Sequence, residues 1–210
     1  MVRFLFTVAL ILFSNCSEKT ASQISNSDTK IMVGLEIYKS ADIPFISHSG
    51  DGYYSNYLAV NIPYSPMPSI VQQIERLTGD KLKVRGEAHI TVLTPVEFRQ
   101  IDKFITIEEI DEIALASQIQ SRAFSVVCVG RGQKEFSGKL ESTYFLVVNS
   151  TELFSIRQKI SDLVHKRSGE GRLLSVDDYY PHITIGFTKK DLHANDGIVK
   201  DLESCLFATE

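Results

Sequence analysis

Two of the five histidines in this chain occur in the same short context. The sequences His89-Ile-Thr-Val92 and His182-Ile-Thr-Ile185 each combine a histidine, a threonine two residues later and β-branched residues at the alternate positions. Side chains alternate between the two faces of a strand, so each histidine shares a face with its threonine, and the apolar residues point the other way. If the two strands meet, both imidazoles and both hydroxyls line one cleft. The repeat therefore predicts a site built from two matching halves.

Two imidazoles and two hydroxyls around one cleft suit the cleavage of a phosphodiester. The imidazole of histidine titrates near pH 6.5, so at a pH near neutrality one ring can be neutral while its partner is protonated. The neutral ring would accept a proton from the attacking water or hydroxyl, and the charged ring would donate one to the leaving oxygen. The threonine hydroxyls would donate to the non-bridging oxygens. A 2′,3′-cyclic phosphate is a natural substrate because its ring is strained, and this chemistry requires no metal.

Several other polar residues near the motifs allow two interpretations each. Tyr180, two residues before the second histidine, could contact the base or the phosphate of a substrate, or it could be a half-buried structural aromatic residue. Lys83 and Arg85 precede the first motif and could supply positive charge there, although a solvated sheet edge is the simpler interpretation. His48 and His193 lie in predicted loops, and we expect both to be solvated.

A metal site is the main chemical alternative. Glu87 alternates onto the face of His89, and Asp178 could do the same for His182. Two histidines and two carboxylates could in principle hold zinc. The threonine in each motif argues against zinc, because hydroxyls are poor zinc ligands and good phosphate donors. We therefore expect no metal and no other cofactor.

Each motif ends a predicted strand–helix–strand unit. Hydrophobic periodicity and turn residues give the elements of both units. The first unit has a strand over 53–62, then a helix between Pro66 and Gly79, and then the motif strand 88–93. The second unit has a strand over 143–148, then a helix that is capped by Ser150 or Thr151 and ends at Gly169, and then the motif strand 182–187. This repetition predicts an α+β fold with two pseudo-symmetric lobes. Each lobe would have a mainly antiparallel sheet with packed helices, and the active cleft would lie between the lobes.

The remaining elements follow from capping signals and short apolar runs. Thr94-Pro-Val-Glu97 and Thr106-Ile-Glu-Glu109 are capping boxes that predict helix starts, the second helix continuing to about Gln120. Thr188-Lys-Lys-Asp191 is a looser version of the same signal. Strands are expected at 31–38 and at 124–130.

The N-terminal residues predict export. An arginine and a ten-residue apolar run precede Cys16, which fits a signal peptide over 1–16, with Cys16 as a candidate lipidation site. A flexible tether over 17–30 would lead to the domain at 31–210, with lobes at roughly 31–105 and 106–210. In an oxidising compartment Cys128 and Cys205 could pair, or they could be two buried free thiols. The net charge of −4 provides no overall basic field, so a polyanionic substrate must be held locally.

The two motifs resemble those of the two-histidine (2H) phosphoesterase superfamily, which includes LigT-like RNA 2′,3′-cyclic phosphodiesterases. The stretch GEAHITVLTP in particular resembles the branch described as Swiss-Army-Knife RNA-repair-like. The resemblance implies a bilobal fold with a metal-free cleft between the lobes. It also implies that His89 and His182 are the acid/base pair and that Thr91 and Thr184 bind phosphate.

These observations lead to one main hypothesis and two alternatives. The main hypothesis is a phosphoric diester hydrolase, exported and secreted or lipid-anchored at the cell envelope, that acts as a monomer on a nucleotide or RNA-end phosphoester. The first alternative is a non-catalytic exported lipoprotein that binds a phosphorylated ligand in the same cleft. The second is a metallohydrolase that uses His89, His182 and nearby carboxylates.

Overall fold

A computed structural model describes residues 29–210 of the chain. The predicted signal peptide, Cys16 and nearly all of the predicted tether lie outside the described residues. The strands are β1 (Lys30–Ile31), β2 (Leu58–Asn61), β3 (His89–Leu93), β4 (Ser125–Phe136), β5 (Lys139–Asn149), β6 (His182–Phe187) and β7 (Cys205–Thr209). The α-helices are α1 (Met67–Thr78), α2 (Pro95–Ile101), α3 (Ile107–Ala116) and α4 (Thr151–Ser168). Between residues 29 and 210, no helix has the length and apolar character that crossing a bilayer requires.

The strands of both halves join into one sheet with the order β1-β7-β4-β5-β6-β3-β2. The two motif strands are antiparallel neighbours near its middle, with Ile90 opposite Ile183. The α+β class is therefore confirmed. A separate sheet for each lobe is not found in the described part of the chain, because the pairing of β3 with β6 makes the two expected sheets continuous.

Helices cover one side of the two motif strands. Helix α1 packs against β6 and α4 packs against β3, so each helix contacts the motif strand of the other unit. The apolar residues of the motif strands face this core, and Ile90, Val92, Ile183 and Ile185 are each at most 3% exposed. Burial of each such side chain contributes about 1.5–3 kcal/mol. The histidines and threonines between them are only half-buried, which is the predicted alternation.

The strong helix signals of the sequence are confirmed. Both capping boxes form, since Thr94 accepts from the Glu97 amide and Thr106 accepts from the Glu109 amide, with the glutamate carboxylates bonded back to the threonine amides. Ser150 caps α4 by accepting from the Leu153 amide. Helices α1 and α4 both end at a glycine with positive φ, as the sequence predicts.

Two predicted elements are wrong. The strand expected over 31–38 is limited to Lys30–Ile31, because Leu35–Tyr38 forms a 3-10 turn that buries Ile37 in the core. No helix follows Thr188, because its hydroxyl donates to the Glu141 carboxylate at 2.7 Å instead of capping a helix. Strand β2 is also shorter than expected, and α3 ends before a 3-10 turn at Ile119–Ser121.

Cys128 and Cys205 form a disulfide, which decides between the two alternatives left open by the sequence. Their Cα atoms are 5.8 Å apart, and the bond joins β4 to β7 at the sheet position where the two strands pair. The bond therefore anchors the start of β7. The segment between β6 and β7, which contributes residues to the cleft described next, is held at that end.

Candidate active site

A cleft of about 970 Å³ lies over the exposed face of β3 and β6. The structure brings all five site residues predicted from the sequence into its lining. These are His89, Thr91, Tyr180, His182 and Thr184. Their proximity follows from the period of two in both strands and from the pairing of β3 with β6. The roles of these residues stay predictions.

The register of the two strands places each histidine opposite the threonine of the other motif. Ile90 lies opposite Ile183 in an antiparallel pair. The neighbouring positions then set His89 across from Thr184, and Thr91 across from His182. Directly opposed residues in such a pair have Cβ atoms about 5 Å apart. Each imidazole is therefore expected to work beside the hydroxyl of the other motif, and a phosphate between the strands would meet both kinds of group.

The ring of His182 is held by contacts at both nitrogens. Nδ1 lies 2.7 Å from the backbone carbonyl oxygen of Tyr180, and Nε2 lies 3.2 Å from Nζ of Lys200. Burial lowers the pKa of His182 well below its usual value, and the nearby positive charge of Lys200 lowers it further. The arrangement favours a neutral imidazole.

The ring of His89 has a different environment. Its Nδ1 lies 3.9 Å from the Glu87 carboxylate, and the Tyr57 ring is 5.9 Å away between centroids. Burial lowers the pKa of His89, while the negative charge of Glu87 opposes this effect. The two histidines therefore lie in electrostatically opposite surroundings, one beside a carboxylate and the other beside an ammonium.

A charge cluster that the sequence did not reveal adjoins His182. Asp191 is nearly buried, and its carboxylate lies 3.1 Å from Nη2 of Arg85 and 3.4 Å from Nζ of Lys200. Its other close contact is the His193 ring, at 3.7 Å. All four residues line the cleft. Arg85 is thus part of an ion-paired group at the cleft, and its side chain is still 46% exposed, so it is both solvated and paired.

Of the two histidines that we expected in solvent, only His193 is exposed. His193 lines the cleft beside Asp191, although its side chain is 57% exposed. His48 is half-buried and stacks on Tyr57, with ring centroids 4.1 Å apart. Tyr57 in turn neighbours His89. The stacked pair of His48 and Tyr57 therefore adjoins the first catalytic candidate.

The zinc alternative has no matching arrangement here. Within residues 29–210, no three His, Cys, Asp or Glu side chains come together closely enough to hold a metal ion. A metal at His182 would also require the lone pair of Nε2. That lone pair faces the Lys200 ammonium at 3.2 Å, and an ammonium has only donors.

Comparison with known proteins identifies a protein family. A family model described as Swiss Army Knife, 2H phosphoesterase domain matches residues 56–193. The matched range contains both His-Ile-Thr motifs, Arg85 and Asp191, and it ends before Lys200. No curated protein and no solved structure matches the chain.

Proposed function

The chain belongs to the Swiss Army Knife branch of the 2H phosphoesterases, whose model covers more than half of it, and from this premise we propose that it is a metal-independent phosphodiesterase that hydrolyses a cyclic phosphate. Members of the family act on phosphoester substrates. The observation that supports the specific proposal is the position of two histidines and two threonines on adjacent strands that face one cleft.

The proposed reaction needs only these four side chains and water. One neutral histidine accepts a proton from water as the water oxygen attacks phosphorus. The bond from phosphorus to the 2′ or 3′ oxygen breaks, and the protonated histidine donates its proton to that oxygen. Thr91 and Thr184 donate to the non-bridging oxygens, where charge accumulates. Tyr180, which is 39% exposed at the cleft, offers a ring and a hydroxyl to the nucleoside part of the substrate.

Turnover of 2′,3′-cyclic nucleotides in the presence of EDTA tests this proposal directly. We expect hydrolysis that EDTA does not reduce, because the proposed steps use no metal. Loss of activity in EDTA that zinc restores would instead support a metallohydrolase. Failure of the folded protein to cleave any cyclic or linear phosphodiester would favour the alternative function, a binding module that holds a phosphorylated ligand in the same cleft.

We also infer that a pseudo-twofold axis relates the two strand–helix–strand units. The sheet order β5-β6-β3-β2 is consistent with an axis between β6 and β3. The packing of α1 on β6 and of α4 on β3 is consistent with the same axis. We propose that the protein acts as a monomer, because one chain supplies every residue of the proposed site.

The proposed location is the cell envelope, with a lipid anchor on Cys16. This proposal rests on the positively charged start, the apolar run and the cysteine of residues 1–16. Metabolic labelling with a fatty acid should mark the protein and should fail for Cys16→Ala. Labelling that persists in Cys16→Ala would contradict anchoring at this residue.

A further inference from the structure

Lys200 is a buried lysine at the edge of the proposed active site. Its side chain is only 4% exposed, it lines the cleft, and it lies beyond the end of the range that the family model matches. Burial of an ammonium is costly unless close partners compensate for the lost hydration. Burial lowers the pKa of Lys200, and the adjacent Asp191 carboxylate opposes this and favours the charged form. An ammonium held in this way at a cleft calls for a functional explanation.

The contacts of Lys200 connect a carboxylate to a catalytic candidate. Nζ lies 3.4 Å from Oδ1 of Asp191 and 3.2 Å from Nε2 of His182, and it is 5.3 Å from the centroid of the Phe145 ring. Asp191 is fixed on its other side by Arg85, at 3.1 Å. Asp191 therefore holds the ammonium in place, and the ammonium can only donate to the imidazole.

The two contacts of the His182 ring specify one protonation state. The Tyr180 carbonyl can only accept, so Nδ1 at 2.7 Å must carry a hydrogen. Nε2 faces a group that can only donate, so it must present its lone pair. A ring protonated on both nitrogens would point its Nε2–H at the ammonium, where no acceptor is available. Geometry alone therefore selects the neutral ring with its proton on Nδ1.

We propose that Lys200 is a positioning residue that fixes the direction of proton transfer, making His182 the base and His89 the acid. The inference rests on the proposed function and deepens it. His89 is better suited to the acid role than His182, because the Glu87 carboxylate, 3.9 Å from Nδ1, opposes the lowering of its pKa by burial, whereas Lys200 adds to that lowering at His182. In the resulting reaction the water proton moves to Nε2 of His182. The proton held by His89 moves to the oxygen released from phosphorus.

Binding of the phosphate completes this role. An anionic phosphate oxygen is a stronger acceptor for an ammonium than a neutral imidazole is. The bound substrate therefore draws an N–H of Lys200 away from Nε2, and the freed lone pair can accept from water. Asp191 keeps Nζ within reach of both groups throughout.

Three ionisable groups around His182 disfavour its charged form. Lys200, His193 and His89 each oppose a positive charge on the ring. Asp191 has the opposite sign, but Arg85 and Lys200 both contact its carboxylate. Among these groups Lys200 is the one in direct contact with Nε2, so its removal should have the largest effect.

NMR titration of the His182 ring nitrogens in the protein without substrate tests the proposal. In the wild type we expect the Nδ1–H tautomer, with the proton absent from Nε2 at neutral pH. In Lys200→Met we expect the titration midpoint of His182 to move to higher pH, because a neighbouring positive charge has been removed. Lys200→Arg retains the charge and should keep the midpoint close to that of the wild type. Lys189→Met removes an exposed lysine outside the cleft lining and serves as the matched control.

Two results would overturn the proposal. One is an Nε2–H tautomer or an imidazolium at neutral pH in the wild type, a measurement that requires no variant to fold. The other is an unchanged His182 midpoint in Lys200→Met, with the amide spectrum showing a folded protein. Neither NMR measurement depends on catalysis, so failure of the proposed function and failure of this inference can be distinguished.

The pH dependence of kcat/KM provides the kinetic counterpart. A base must be neutral to act, so a higher pKa of His182 moves the acidic limb of the profile to higher pH. In Lys200→Met we expect a loss on the order of tenfold at mildly acidic pH that partly recovers in alkali, whereas Lys200→Arg should retain the wild-type limb. A uniform loss at every pH would show that Lys200 acts only on structure or binding.

Discussion

Replacement of either His89 or His182 by alanine is expected to lower turnover of a 2′,3′-cyclic nucleotide by about 10²- to 10⁴-fold. Replacement of both is expected to cost little more than the worse single change, because an acid and a base that act in the same step are not additive. The measurement is kcat/KM at neutral pH for the two single variants and the double variant. Full activity in either single variant would exclude the acid/base pair.

Two kinds of variant separate proton transfer from other losses. Thr91→Val and Thr184→Val keep the shape of the side chain and remove a donor to phosphate, so each should lose roughly 10- to 10³-fold. Their pH profiles should keep the wild-type shape, because no titrating group has changed. His165→Ala removes a histidine in the last turn of α4 and should retain activity.

Losses from His89→Ala and His182→Ala that simply multiply in the double variant would indicate that the two histidines have separate roles.

The part of the site that could be predicted from the sequence depends on local rules. The alternation of side chains along a strand placed His89 with Thr91, and His182 with Thr184, on one face without any knowledge of the fold. Capping boxes and terminal glycines gave the helix boundaries for the same reason, since their hydrogen bonds are made within a few residues. The strand–helix–strand repeat then indicated that the two motifs occupy equivalent positions.

The part that could not be predicted depends on distant contacts. Nothing in a single strand specifies that β3 pairs with β6, so one continuous sheet could not be distinguished from two. Lys200 is a lone lysine in a short loop segment, and lysines are nearly always exposed. Asp191 follows Thr188 at the spacing of a capping box, yet its carboxylate is used by Arg85 and Lys200. The Thr188–Asp191 spacing therefore predicted a helix start that does not form, because tertiary contacts engage the side chains that would cap it.

The largest effect on stability is expected at Arg157 in α4. Its side chain is 1% exposed, and it donates to the carbonyl oxygens of Val92 at 2.7 Å and Ser175 at 2.8 Å. It also binds both carboxylate oxygens of Glu97 and lies over the Tyr179 ring, 5.0 Å from the centroid. Val92 directly follows the first motif threonine, and Ser175 precedes the second motif strand. One guanidinium therefore connects the surroundings of both motifs beneath the cleft.

Arg157→Met should lower the free energy of unfolding by about 3–5 kcal/mol, the usual cost of removing one partner from a buried charged pair. The change leaves the buried carbonyl of Val92 and the part-buried carbonyl of Ser175 without this donor. It also removes the charged partner of the half-buried Glu97 carboxylate, which keeps only its capping-box contacts with Thr94. Urea denaturation followed by circular dichroism measures the loss as a lower midpoint with an unchanged slope. Arg157→Lys should lose an intermediate amount, because a lysine keeps the charge but cannot form the planar, multiply bonded fork.

Arg167 provides the matched control, because it makes the same kind of contacts at the surface. It lies on the same helix, binds both oxygens of Glu109, the capping-box glutamate of α3, and donates to the Phe104 carbonyl at 2.8 Å. Its side chain is 39% exposed, so water can replace each lost partner and the pair is screened. Arg167→Met should therefore lower the midpoint far less than Arg157→Met. Equal losses would show that contact number, and not burial, determines the contribution of these arginines, and would remove the reason to assign Arg157 the central role beneath the cleft.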